Sequence, residues 1–350
     1  DDETIAIRKY QAVVLDIPLG QNTGLRQKIA EMATVQDIKE YPVPVGLRAE
    51  LRHYQKDGYN WLGFLQEHHL GGILADDMGL GKTLQTLSLL QREKENGATQ
   101  PSLVVMPTSL IYNWLAEAQR FTPSLRILVH TGAQRNTDPK YFALNDVVLT
   151  TYGLARQDID MLNKFPWHYL ILDESQMIKN PASKTARALK EIMAQHRLSL
   201  TGTPVENTLM DLWSQMTFLN PGLLGTESFF RDFYIQPIEK FRDVGRTEKL
   251  RKLIHPFILR RTKSQVATEL PPKVEQVHYC AMTEPQQKLY EETKNAYRNY
   301  LLEIGDEDFG KKKLNILAGL QKLRQIAIHP HLVEEGQHLE LSESGKFQEY

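Results

Sequence analysis

The chain has 350 residues, 41% of them hydrophobic, enough for two compact units with cores of their own when domains run to about 100 to 200 residues. Its 42 Lys and Arg against 43 Asp and Glu give a formal net charge of −1, which excludes a protein that coats polyanions by bulk attraction and leaves only local basic patches for that purpose. A single cysteine, Cys280, excludes an internal disulfide and a multi-cysteine zinc site, and it suits a reducing, intracellular compartment. No apolar run reaches the roughly 18 residues of a membrane span, and the first residues lack the basic-then-apolar layout of a signal peptide. Asp1 is not a methionine, so the chain is expected to be part of a longer one.

Residues 1–46 hold no repeat and end in Tyr41-Pro-Val-Pro-Val-Gly46, an extended linker because each proline disfavours helix in the residue before it. Over 47–220, short apolar runs alternate with helical patterns: Gly72-Ile-Leu-Ala75, Ser102-Leu-Val-Val-Met106, Arg126-Ile-Leu-Val129, Asp146-Val-Val-Leu-Thr150, Tyr169-Leu-Ile-Leu172 and Arg197-Leu-Ser-Leu200. These runs lack period-two alternation, as strands covered by helices on both faces do. An α/β, doubly wound, mostly parallel sheet is expected there. A charged helical stretch follows over 221–270. Between Lys240 and Lys263 it carries nine Lys or Arg against only Asp243 and Glu248, either a solvated helix face or a surface for phosphates. Residues 271–350 open with Pro271-Pro272 and a strand-like Val274-Glu-Gln-Val-His-Tyr-Cys280, then helices over 284–302 and 314–329, the beginning of a second unit.

Ile73-Leu-Ala-Asp-Asp-Met-Gly-Leu-Gly-Lys-Thr83 reads as an apolar strand, a glycine-bearing turn and the start of a helix that continues through Leu90. In that setting the backbone N–H groups of Met78, Gly79, Leu80, Gly81, Lys82 and Thr83 face a polyphosphate, and the helix N-terminus adds its positive dipole end. Lys82 is placed to reach the β and γ phosphates of ATP, and the Thr83 hydroxyl to ligate Mg2+. Asp76 stands where the pattern G-x-x-x-x-G-K-[ST] has its first glycine, a departure in loop shape more than in chemistry. Tyr169-Leu-Ile-Leu-Asp-Glu174 ends another apolar run in two carboxylates: Asp173 to hold Mg2+, directly or through water, and Glu174 to orient and deprotonate the attacking water.

With these two motifs in place, further blocks fall in an order that resembles the Swi/Snf branch of superfamily 2 helicase-like ATPases. Leu51-Arg-His-Tyr-Gln-Lys-Asp-Gly-Tyr-Asn-Trp-Leu62 is similar to that family's adenine-recognition motif, and Ala75 to Gln85 to its phosphate loop. Leu103 to Trp114 resembles motif Ia, Val148 to Tyr152 motif Ib, and Leu198-Ser-Leu-Thr-Gly-Thr-Pro-Val-Glu-Asn207 motif III. His255 to Lys263 and Leu270-Pro-Pro-Lys273 look like the segment joining the family's two lobes. The resemblance implies a RecA-like first lobe over 47–220, a helical protrusion and joining segment over 221–270, and over 271–350 the opening of a second lobe with a helical insertion.

The resemblance also implies roles. Gln55 would read the N6 and N7 edge of adenine with its amide. Thr108, Ser109, Asn113, Thr150, Thr151 and Tyr152 lie just after strands, where hydroxyls and N–H groups hold DNA phosphates, although the same residue types serve turns and caps. Gln176, in an acidic box Asp173-Glu-Ser-Gln176 similar to bacterial and archaeal members, would couple to Thr201, Gly202 and Thr203. Trp61 and Trp114 are expected as core or staple residues and not as base-stacking platforms. The implied activity is ATP hydrolysis coupled to movement along double-stranded DNA without sequence reading, on a transcription or other nucleoprotein complex. A nucleotide-gated binding module with little hydrolysis is the alternative, and a small-molecule kinase needs neither motif III nor the Gln55 block. The family's second-lobe arginines have no counterpart before Tyr350, since Arg260 and Arg261 lie in the joining segment, so the chain as given is expected to bind ATP weakly and to hydrolyse it at most slowly, with little stimulation by duplex DNA.

Overall fold

The structure, a computed structural model, describes residues 38–133, 135–136, 138–202, 208–266, 276–303 and 309–349. Two units divide the chain, 1–270 and 271–350. The described strands of the first are β1 Gly72–Leu74, β2 Ser102–Met106, β3 Ile127–Val129, β4 Val147–Thr151, β5 Trp167–Asp173, β6 Ala194–Leu200 and β7 Ile258–Leu259. They form one sheet in the order β3-β4-β2-β5-β6-β1-β7, and every neighbouring pair is parallel. All six expected apolar runs are strands. The seventh, β7, falls inside the segment that resembles the lobe connection.

Strands β2, β4 and β5 are buried at every position, which is why their sequences run apolar without alternation. Helices α1 His53–Glu67, α2 Lys82–Glu95, α3 Ile111–Phe121, α4 Tyr152–Gln157, α5 Lys184–Glu191 and α6 Leu209–Leu219 intervene between strands or flank them, and α7 Val244–Ile254 precedes β7. They share one core, which α3 enters through a single stripe: it buries Ile111, Trp114 and Ala118, spaced along one helical face. Trp61 and Trp114 are both buried in that core. Because all strands run parallel, the loops after β1, β2, β4, β5, β6 and β7 gather at one edge, where ligands of open α/β sheets bind.

The second unit carries α8 Glu284–Glu303 and α9 Phe309–Ile328, the two helices expected there. Residues 276–280 are not the strand expected of Val274 to Cys280; Val277 and Tyr279 are 76% and 94% exposed. A strand needs a neighbour to satisfy its N–H and C=O groups, and no described residue pairs with this segment. Residues 274 and 275 lie outside the described ones. Among the described residues no helix is long and apolar enough to cross a membrane.

One ion pair fixes the end of α4. The Asp158 carboxylate accepts from Arg135 Nε and Nη2, both at 2.7 Å, and meets His130 Nε2 at 2.9 Å, tying the loop after β3 to the end of α4. The Arg135 bonds hold the Asp158 carboxyl below its ordinary value against the opposing effect of burial. A carboxylate depressed in the fold stabilises it at pH values above its unfolded pKa, and that contribution disappears as pH falls through the folded value. Asp158→Asn is therefore expected to lower stability at neutral pH by about 1–3 kcal/mol in urea unfolding. The difference from wild type should shrink on acidification through the carboxylate range. A difference that stays constant with pH would remove the ion pair as its source.

Candidate nucleotide-binding site

The chain leaves β1 at Leu74, turns through residues 75–81 and enters α2 at Lys82. Gly79 and Gly81 have φ of 85° and 80°, in the left-handed region that only glycine adopts without strain. A Cβ on Gly81 would also lie 2.5 Å from Gln55 Nε2. The first N–H groups of α2, from Lys82, Thr83 and Leu84, have no carbonyl within their own helix and lie at its positive dipole end. Lys82 Nζ donates to the carbonyls of Asp76 at 2.6 Å and Asp77 at 3.3 Å. Burial lowers the Lys82 pKa, and the carboxylates of Asp76, Asp173, Glu174 and Asp77 act against that shift. The lysine and the two carboxylates at the end of β5 thus share one electrostatic site.

Asp173 closes β5 and is 7% exposed. Its Oδ2 accepts from Trp114 Nε1 at 2.7 Å and its Oδ1 from the Glu174 N–H at 2.9 Å. Burial raises the Asp173 pKa, and the Trp114 bond opposes it. Glu174 sits at φ 54°, ψ 53°, a left-handed conformation that costs a non-glycine residue about 1–2 kcal/mol. The strain is held from behind: Tyr152 Oη donates to the Asp173 carbonyl at 2.8 Å, and the Met177 N–H donates to the Glu174 carbonyl at 3.1 Å. The result turns the chain sharply at the strand end, so that two successive carboxylates do not simply alternate across the sheet.

Strand β6 separates β1 from β5, and its exit links them. The Thr201 N–H donates to the Leu74 carbonyl at 3.1 Å; Thr201 Oγ1 donates to Gln176 Oε1 at 3.1 Å; Gln176 Nε2 donates to Glu174 Oε2 at 2.7 Å. Thr201 and Gln176, two residues expected to couple, are therefore bonded directly, with Gly202 next to Thr201 and Met78 within reach of it. Thr203 lies outside the described residues.

Two residues needed a structure to be understood. Asp76 is fully buried, and its carboxylate receives the Arg261 guanidinium, Nε to Oδ1 at 2.9 Å and Nη2 to Oδ2 at 2.5 Å. Arg261 also donates to Gln85 Oε1 at 2.9 Å and to the Tyr54 carbonyl. The signal in the sequence was an acidic residue inside an anion-binding loop, which requires a cation nearby. Trp114 likewise read only as core, yet its indole N–H holds Asp173. Gln55 is buried, with Oε1 accepting from the Arg52 N–H at 3.0 Å and Nε2 donating to the Leu80 carbonyl at 3.2 Å, so it lies against the phosphate loop.

The six residues expected at DNA phosphates divide. Thr108, Ser109 and Asn113 are exposed after β2. Thr150 is fully buried with Oγ1 donating to the His130 carbonyl at 3.0 Å, and Tyr152 is buried behind Asp173, so neither side chain faces outward. Thr151 caps α4 by accepting from the Leu154 N–H. Within the basic stretch Arg246 serves packing: it donates to the Phe233 carbonyl at 2.5 Å and lies 4.1 Å from the centre of the Phe233 ring. Lys249, Arg251 and Lys252 are exposed.

Asp173 has room for a magnesium ion, and Thr83, in the first turn of α2, is the other candidate ligand. Each Asp173 oxygen uses one lone pair on its hydrogen bond and keeps another, and Mg2+ takes few protein ligands beside phosphate and water. No cluster of three His, Cys, Asp or Glu among the described residues offers a closed protein cage for another metal.

This arrangement has counterparts of known family. The chain is 40% identical to the putative ATP-dependent helicase/translocase YwqA of Bacillus subtilis, matching over 97% of its own length and 37% of that protein. It is 38% identical to the TATA-binding protein-associated factor MOT1 of Saccharomyces cerevisiae, over 91% of this chain and 18% of that one. It therefore spans well under half of these relatives. Among solved structures, the Sulfolobus solfataricus SWI2/SNF2 ATPase core in complex with dsDNA is similar with a TM-score of 0.64 and 40% identity, covering 89% of this chain and 65% of that one. Residues 54–332 match the SNF2-related domain, a span that includes the phosphate loop, the β5 carboxylates and the joining segment, and the chain belongs to that family.

Proposed function

We propose that this chain is the ATP-binding lobe of a motor that hydrolyses ATP to move along double-stranded DNA, acting on the backbone and not on base sequence. The observation that carries this is the continuous link from Leu74 at the end of β1, through Thr201 and Gln176, to Glu174 at the end of β5. A site for binding alone needs the phosphate loop; a hydrolytic one also needs a positioned base and a connection that reports its state.

In this mechanism the α2 N-terminus and Lys82 hold the β and γ phosphates, Lys82 exchanging its bonds to the Asp76 and Asp77 carbonyls for phosphate oxygens. Thr83 and Asp173 would hold Mg2+, which supplies charge neutralisation on the phosphates. Glu174 accepts the proton of the attacking water, and Gln176 orients its carboxylate. Gln55, bonded to the Arg52 N–H and to the Leu80 carbonyl of the phosphate loop, would read the edge of adenine with its amide. Thr108, Ser109 and Asn113 offer hydroxyl and amide groups to DNA phosphates on the exposed loop after β2. Similarity to a core solved with dsDNA supports this choice of partner. A transcription complex is the nucleoprotein target suggested by likeness to MOT1.

Lys82→Ala is expected to abolish tight binding of a fluorescent ATP analogue, because it removes the side chain placed to neutralise the β and γ phosphates. Wild-type affinity in that variant would displace the site. Glu174→Gln is expected to keep binding and lose turnover by about a hundredfold or more in the full-length protein carrying this chain, measured as phosphate release with duplex DNA present. Undiminished turnover would remove Glu174 as the base, and binding without DNA-stimulated release in the wild type would favour a nucleotide-gated module. Replacing Lys249, Arg251 and Lys252 by Glu tests the basic helix. If it meets DNA, affinity falls for all sequences alike and the log–log salt slope flattens by about 0.9 for each phosphate no longer neutralised. An unchanged slope would leave α7 a solvated face.

A further inference from the structure

An aspartate at the mouth of a phosphate loop is an electrostatic problem. Asp76 lies at the base of the turn that presents N–H groups to a polyphosphate, is fully buried, and carries a charge of the ligand's own sign. A buried carboxylate persists only if paired and hydrogen-bonded. Arg261, 5% exposed, supplies that pair from a residue far away in sequence, just beyond β7.

The rest of the surroundings is built around this ion pair. The Ala75 N–H donates to the Leu259 carbonyl at 2.7 Å and the Asp77 N–H to the Arg261 carbonyl at 3.0 Å, so the β1–β7 pairing continues as a ladder along the phosphate loop itself. The Lys263 N–H then donates to Asp77 Oδ2 at 3.0 Å. Helix α1 closes over the pair. A Cβ on its Gly58 would stand 1.8 Å from Gln85 Oε1 and 2.7 Å from Arg261 Nη2, so both side chains would have to shift. Trp61 Nε1 of the same helix donates to the Pro256 carbonyl at 3.0 Å, and Arg261 donates to the Tyr54 carbonyl, so α1 grips the β7 segment at two places. Gln85 completes the knot, accepting from Arg261 while its Nε2 faces Asp76 Oδ2 at 3.3 Å.

We infer that Arg261 is a positioning residue for nucleotide binding: by neutralising and holding the Asp76 carboxylate beneath the phosphate loop, it makes the loop's anion site depend on the placement of the β7 segment. The inference rests on the ATP-binding role proposed for the loop. In this role Arg261 acts through the Asp76 carboxylate that it pairs and is assigned no contact with the nucleotide. Displacement of the segment that carries Arg261 would expose the phosphates to an unpaired carboxylate, so the same ion pair that builds the loop also ties ATP affinity to the chain leading out of the sheet.

The test compares R261M, D76N and the double variant D76N/R261M of the 350-residue chain, each checked for folding by circular dichroism and titrated with N-methylanthraniloyl-ATP in Mg2+. R261M is expected to bind at least about tenfold more weakly than wild type, as a buried charge left without its partner does. Whatever the affinity of D76N itself, the double variant is expected to bind within about threefold of D76N, because Arg261 is dispensable once the carboxylate is gone. R261M binding like wild type would overturn the inference. So would a double variant that remains about tenfold weaker than D76N, the pattern of a merely structural arginine. Should R261M not fold, the comparison of D76N with the double variant decides alone. Failure of the wild-type chain to bind the analogue would instead sink the ATP reading and this inference with it, whereas wild-type binding with an indifferent R261M sinks only the latter.

Discussion

Strand β6 lies between β1 and β5, and the residue at its exit is bonded to both sides of the site. The Thr201 backbone meets Leu74 before the phosphate loop, and its hydroxyl meets Gln176, which holds Glu174. A parallel sheet sets this constraint: neighbouring strands end at one edge, so loops distant in sequence face each other there. A shift of the β6 exit relative to β1 would be felt by Glu174, the carboxylate proposed to take the water proton. Tyr152 adds a second tie, from the end of β4 to the Asp173 carbonyl, so the loop region that resembles a DNA-binding motif touches the turn after β5 from behind.

Charge balance explains features that strand geometry does not. Four carboxylates, from Asp76, Asp77, Asp173 and Glu174, act on Lys82. A polyphosphate adds more negative charge to the same place. Asp76 is neutralised by Arg261, Asp173 is held by an indole N–H and its neighbour's amide, and Glu174 is bonded to Gln176. The hydrogen bonds of Lys82 go to carbonyls, which in the proposed function a phosphate oxygen would replace, both being hydrogen-bond acceptors. Mg2+ would complete the balance at Thr83 and Asp173.

The six apolar runs were legible as strands because burial on both faces writes itself into consecutive residues, and the placement of Lys82, Thr83, Asp173 and Glu174 beyond or at strand ends was legible with them. Strand β7 was not, since Ile258–Leu259 is too short for a periodic signal and forms only by pairing with β1. The Val274 to Cys280 segment failed in the opposite direction: its composition suits a strand, but pairing is a property of neighbours and not of the segment. Arg261 was visible as a charge and invisible as a partner, because nothing local connects it with Asp76. Thr150 and Tyr152 carried polar groups that suited a phosphate, and only their burial reveals that the backbone carbonyls of His130 and Asp173 use them.

In the proposed function the turn after β1 and the carboxylates after β5 hold one Mg2+ and one polyphosphate together. Anomalous diffraction from crystals of the chain grown with a non-hydrolysable ATP analogue and Mn2+ in place of Mg2+ tests this most directly. The expected result is a manganese peak between the Thr83 hydroxyl and the Asp173 carboxylate, beside phosphates lying over the N-terminus of α2. A nucleotide bound at that helix with its metal away from Asp173, or bound elsewhere on the chain, would contradict it.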